Sequence, residues 1–216
     1  GSGIMAMPTL SVANAKNELN NFGELIEKMS GNIYSLFYEK QKDDFKLIQK
    51  IKKREELTDK IDEELSQFLS KVAEEELNIE TAKEIRQILT ISNELERIGD
   101  IMYELCKNYE RLKRESVQLP DNAKDELKEL LLLTNKAISL MHKNIVSNGK
   151  DVPLSEANSL EKEINRKRKD IFTHHFERLE KSIYAPKVGV LYIDFVNRFE
   201  LIGDHVINIL EAIAGE

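Results

Sequence analysis

The residues that can do chemistry in this chain sit in one stretch that occurs twice. Asn93-Glu94-Leu95-Glu96-Arg97-Ile98-Gly99-Asp100 returns as Asn197-Arg198-Phe199-Glu200-Leu201-Ile202-Gly203-Asp204, with five of eight positions identical. Each copy places a Glu and an Asp four residues apart, an Asn three before the Glu and a Gly just before the Asp. On a helix, positions i and i+4 are neighbours, so Glu96 with Asp100 and Glu200 with Asp204 each form an acidic pair. Hard oxygen donors of this kind suit Mg²⁺, Ca²⁺, Mn²⁺ or iron, but two carboxylates alone hold an ion weakly. A second helix must add donors. In the first half that is Asp62, with Asp59 beside it, and in the second Glu161 with Asn165.

The elements that position these residues follow from apolar spacing. Val12, Leu19, Phe22, Ile26, Met29, Ile33 and Leu36 recur at helical intervals, predicting a first helix from about Thr9 to Tyr38, entered through Pro8. A second is expected from about Lys42 to Ala73, with Phe45, Ile48, Ile51, Leu57, Ile61, Leu65, Phe68 and Val72 inward. After Asn78, Thr81-Ala82-Lys83-Glu84 has the form of a capping box, predicting the start of a third helix there. In it Ile88, Ile91, Leu95, Ile98, Met102 and Leu105 alternate spacings of three and four, a seam for an antiparallel neighbour. At about 100° per residue, Glu96 and Asp100 fall beside that seam and point away from the core, with Gly99 on the flank between. A helical Gly costs up to about 1 kcal/mol relative to Ala, so its presence suggests a close approach by another helix.

Leu119-Pro120-Asp121 breaks the pattern, and the same order of helices starts again. Asn14-Ala15-Lys16 is matched by Asn122-Ala123-Lys124, and the acidic stretch returns 104 residues on, from Asn93 to Asn197. A fourth helix is expected to about Val146, closed by Gly149. A fifth should run from roughly Val152 to Ser182, and a sixth should begin at Pro186 with Tyr192, Phe195, Phe199, Ile202, Val206, Ile209 and Ile213 on its seam. The fold class expected is all-α: two tandem three-helix bundles, residues 9–118 and 119–216, after an expression scar and entry segment over residues 1–8.

Composition narrows the function. Charged residues are 33 % and aromatic residues 6 %, with 9 Gly and 4 Pro, which fits long solvated helices around an aliphatic core. A net charge of −7 disfavours a nucleic-acid partner held through phosphates and favours cations as ligands. The single cysteine, Cys106, rules out an intramolecular disulfide and fits a reducing compartment, so the expected location is cytoplasmic. The longest aliphatic string, Leu130 to Leu133, is far short of the roughly 20 residues that span a bilayer. No phosphate loop, His-Glu-x-x-His or Gly-x-Ser-x-Gly is present, and none of the four histidines follows a Glu by three. An enzyme is therefore not expected. His174 and His175 are adjacent and must point differently, His142 reads as a boundary residue, and His205 follows Asp204 directly. The basic run Asn165-Arg166-Lys167-Arg168-Lys169 reads as a solvated helix face.

Glu96-Arg97-Ile98-Gly99-Asp100 and Glu200-Leu201-Ile202-Gly203-Asp204, one per three-helix unit, resemble the signatures of the PhoU family of phosphate-regulation proteins. The resemblance runs from Ala13 to about Ala214. Met7-Pro8-Thr9-Leu10, and Leu65 to Ser70 leading into Asn93, look like the cytoplasmic PhoU-like region of bacterial sodium/phosphate cotransporters. What the resemblance implies is a regulator of phosphate uptake, bound to a phosphate transporter or to its own membrane domain, with surface metal clusters of divalent or iron ions. The implied metal residues are Glu96, Asp100 and Asp62 in the first unit and Glu200, Asp204, Glu161 and Asn165 in the second. Thr58 stands where the family has an acid, with Asp59 as its substitute, so the second site is expected to be the better supported. The competing expectation is a structural helical bundle with a homodimerisation face and no metal.

Overall fold

Six helices follow one another along the chain in a computed structural model that describes residues 2–40, 43–150 and 153–215, the side chains of residues 2–10 excepted. They are α1 (Ser2–Tyr38), α2 (Asp44–Val72), α3 (Ile79–Arg114), α4 (Asp121–Ser147), α5 (Leu154–Glu180) and α6 (Pro186–Ala214), with no strand among the described residues. The expected order and number of helices are present. The expected starts at Lys42 and Val152 lie outside the described residues.

The helices α1, α2 and α3 pack on one another, as do α4, α5 and α6, and the two trios join through α3 against α6 and α1 against α4. Helices α2 and α5 therefore lie on opposite flanks. Apolar seams from all six helices merge into one buried cluster. Phe22, Ile26 and Met29 of α1, Leu95 and Ile98 of α3, and Tyr192, Phe195 and Phe199 of α6 are sealed from solvent to within 1 %. An aliphatic interior with few aromatic rings results, as the composition requires.

Several boundaries and facings differ from expectation for identifiable reasons. Helix α1 begins at Ser2 and runs through Pro8. The cap of α3 is Asn78, whose side chain accepts from the backbone N–H of Thr81 at 2.7 Å. Thr81 is thus the third residue inside the helix rather than its cap, and Glu84 instead pairs with Lys16 at 2.8 Å. On α2, Phe45, Leu57 and Phe68 are 64 %, 45 % and 40 % exposed, while Thr58 is fully buried. The true inward line is Ile51, Thr58, Ile61, Leu65 and Leu69. Its centre passes through a polar residue that an apolar count skips. Helix α4 closes with Asn148 and Gly149 both left-handed, at φ of 52° and 79°, and the Gly149 N–H reaching Asn144 O at 2.9 Å. Pro186 opens α6 from its first turn.

Candidate metal centre

Helices α2 and α3 are antiparallel neighbours, tied by Tyr109 Oη donating to Asp44 at 3.1 Å and by Ser92 Oγ donating to Asp62 Oδ1 at 2.6 Å. Between those ties the helices meet at Gly99. A Cβ built on Gly99 would lie 2.8 Å from Thr58 Oγ1, so the expected close approach is present and its partner is Thr58. The Thr58 hydroxyl donates to the backbone carbonyl of Glu55 at 2.6 Å. Buried and turned onto its own helix, Thr58 offers nothing to a ligand.

This approach sets the acids of the two helices along one groove. Glu55 and Asp59 of α2 and Asp100 of α3 each present a ligand atom, and those atoms all lie within 4.8 Å of one another. Glu96 hydrogen-bonds Asp100 and feels the charges of Asp59 and Asp62. Burial, followed by that hydrogen bond and those charges, pushes the Glu96 carboxyl up to about 7. Glu55 and Asp59 also lie above their ordinary values, first through burial and then through neighbouring acids. None of the five carboxylates joins an ion pair among the described residues. Lys107 acts on Glu55 from a distance and is itself engaged by Glu104.

Glu96 and Asp100 were expected to point away from the core, and they do leave the apolar seam, but they are half-buried between two helices rather than free on the surface. Glu55 was absent from the sequence-derived set. Its signal was available: Glu55 and Asp59 repeat the i, i+4 acid spacing of Glu96 and Asp100.

The second face is built differently. A Cβ on Gly203 would meet Ile164 at 3.5 Å, an ordinary contact, and Glu161 lines a small apolar gap beside it. Arg168 of α5 sets its Nε 3.2 Å from Glu200 Oε2, a charge contact rather than an aligned hydrogen bond. Its Nη2 donates to Asn197 Oδ1 at 3.4 Å. Burial raises the Glu200 carboxyl, Arg168 pulls it back, and Asp204 raises it again, leaving it above its ordinary value. Asp204 is exposed and Asn165 half-buried.

The histidines serve joints between helices. His142, His174 and His205 each set Nδ1 2.6 Å from a glutamate: Glu27, Glu126 and Glu94 respectively. His205 thereby turns across α6 to α3. His175 is buried and meets Tyr184 Oη at 2.5 Å. Within the basic run, Lys167 pairs with Glu129 and Arg168 with Glu200, so two of its charges tie α5 to its neighbours. Burial pushes the Cys106 thiol up to about 12, which keeps it an inert core residue. Glu55, Asp59 and Asp100, with Glu96 and Asp62 beside them, fit a hard cation, since the donor set is all oxygen and none of the five joins an ion pair among the described residues.

Residues 19–109 match the model of the PhoU domain. The matched stretch runs from within α1 to within α3, so the first three-helix unit is similar to a PhoU domain. In structure the chain resembles PhoU from Pseudomonas aeruginosa, at a TM-score of 0.85 and 17 % identity over 95 % of this chain and 96 % of that one. It resembles the phosphate transport system regulatory protein PhoU from Streptococcus pneumoniae at 0.80 and 15 %, covering 97 % and 98 %. A putative PhoU-like phosphate regulatory protein from Shewanella oneidensis MR-1 follows at 0.67 and 12 %, covering 95 % and 96 %. Among curated proteins, none matches in sequence. The all-helical fold is thus that of PhoU proteins. No described helix is long and apolar enough to cross a membrane.

Proposed function

We propose that this chain is a non-enzymatic regulatory domain for phosphate transport, and that the groove between α2 and α3 holds divalent or iron ions between Glu55, Asp59, Asp62, Glu96 and Asp100. The observation that carries the metal reading is the convergence of Glu55, Asp59 and Asp100, from two helices, within 4.8 Å. Bound cations would neutralise five carboxylates and fasten α2 to α3, making the flank of the first trio more rigid when loaded. The match of residues 19–109 to the PhoU domain supports the regulatory role, and the partner proposed is a phosphate transporter or a membrane domain attached to this chain.

The test is Mn²⁺ titration by calorimetry, with elemental analysis of the purified protein, on the wild type and on Glu55→Gln/Asp100→Asn. The expected result is binding by the wild type, weakened at least tenfold in the variant, with added Mn²⁺ raising the melting temperature of the wild type alone. No binding of Mn²⁺, Mg²⁺, Ca²⁺ or iron, and no shift in melting, would overturn the metal reading. Phosphate uptake in cells lacking the chain, restored by wild type and by the variant in unequal degree, tests the regulatory part.

A further inference from the structure

The two acidic faces descend from the same repeat but differ in what balances their charge. Position by position, with Thr58 set against Glu161 and Gly99 against Gly203, Asn158 stands where α2 has Glu55 and Lys162 where it has Asp59. Arg168 stands where it has Leu65. The first face keeps five carboxylates outside any ion pair, while the second has Glu161, Glu200 and Asp204 with two cationic residues on the facing helix.

Arg168 is held on three sides. Its Nε is 3.2 Å from Glu200 Oε2, its Nη2 reaches Asn197 Oδ1 at 3.4 Å, and its guanidinium carbon lies 4.8 Å above the ring of Phe172. The side chain is 33 % exposed. Asn93, the counterpart of Asn197, instead accepts from Arg97 of its own helix at 3.1 Å, so no guanidinium enters the first groove through it. A guanidinium is always charged, is only weakly hydrated and gains by stacking on an aromatic face. A metal ion at Glu200 would have to displace it or sit beside its charge.

We infer that Arg168 is the built-in cation of the second acidic face, and that it confines metal binding in this chain to the α2–α3 groove. The inference rests on the proposed metal reading and adds to it which face is used and what excludes the other. Arg168 is in this sense a specificity-determining residue, acting by occupying a cation's place.

Mn²⁺ titration, read by electron paramagnetic resonance of the free ion, tests this in a Glu55→Gln/Asp100→Asn background that disables the first groove. Arg168→Leu, which installs the residue found at Leu65, is expected to restore Mn²⁺ binding at least tenfold tighter than in the background protein. Adding Glu200→Gln should abolish it again, and Arg168→Lys, which keeps the charge, should gain nothing. Arg168→Gln is the second variant should the leucine fail to fold, as judged by circular dichroism. No gain with either neutral substitution would overturn the inference, as would wild-type binding that survives loss of the first groove and disappears with Glu200→Gln. A wild type that binds no Mn²⁺ beside an Arg168→Leu protein that does would sink the metal reading of the first groove and leave the role of Arg168 standing.

Discussion

Gly99→Ala and Gly203→Ala make the same chemical change at equivalent positions of the repeat, and the structure predicts opposite signs. In a helix interior Ala is favoured over Gly by about 1 kcal/mol. At Gly203 the new methyl would sit 3.5 Å from Ile164 Cδ1, an ordinary contact, so that gain should appear nearly in full. At Gly99 it would sit 2.8 Å from Thr58 Oγ1 and 3.4 Å from Thr58 Cβ and Cγ2. Thr58 cannot turn aside cheaply. It is fully buried, β-branched, and its hydroxyl is committed to Glu55 O at 2.6 Å. Helix α2 must retreat instead, and overpacking of this kind costs about 1–3 kcal/mol. Gly99→Ala should therefore lose up to about 2 kcal/mol net, and the two variants should differ by about 1–3 kcal/mol. For a chain of this size that separates their melting temperatures by roughly 2–12 °C. Thermal and urea unfolding without metal provide the assay. Adding Thr58→Ala to Gly99→Ala should recover stability by at least roughly 0.5 kcal/mol beyond additivity. If Gly99→Ala stabilises as much as Gly203→Ala, or the double variant is additive, the close approach of α2 to α3 at this point is refuted.

Two further outcomes follow from the electrostatics. Because Glu96 is raised to about 7, the metal-free protein holds a proton there that the unfolded chain releases near its ordinary value, 4.5. That contribution to stability is complete below about 4.5 and is lost as pH rises through about 7, so the metal-free wild type should lose stability across this window and Glu96→Gln should lose less. Solvent screening of a half-exposed groove holds the effect to about 1 kcal/mol, measured by urea unfolding at pH 5 and pH 8. Glu126 is the acceptor of the second trio, taking Arg178 and Tyr192 at 2.9 and 2.8 Å and lying 2.6 Å from His174. Burial raises its carboxyl, but hydrogen bonds from Arg178, Tyr192 and His174 more than offset this and leave it below its ordinary value. Arg178 is only 3 % exposed, so Glu126→Ala strands a buried cation and should cost about 3–5 kcal/mol, whereas the double substitution with Arg178→Met should cost less. Equal losses in single and double variants would refute the pairing.

The helices were legible because their signal is periodic and local. Seams such as Ile88 to Leu105 and Tyr192 to Ile209 need only a spacing of three and four to declare a buried face, and the repeat told how many there are. Facing was misread on α2, where Phe45, Leu57 and Phe68 look inward by hydropathy and are exposed. Thr58 occupies the core because a glycine on the next helix leaves room for a small side chain only. The acid pairs Glu96 with Asp100 and Glu200 with Asp204 were visible in sequence, since their spacing lies within one helix.

What the sequence alone determined is everything carried by intervals along one helix: six helices, their repeat, the doubled acidic stretch and the glycine that marks a close contact. What only the tertiary structure decided is which residues of different helices share a groove. Glu55 and Asp59 meet Asp100 because the Gly99–Thr58 contact fixes how α2 slides and turns against α3. Arg168 meets Glu200 because α5 is registered against α6. Relative helix register depends on side-chain packing summed over a whole interface, and no short stretch of sequence encodes that sum. Two copies of one motif thus became a groove of uncompensated acids on one flank and an acid pair neutralised by an arginine on the other.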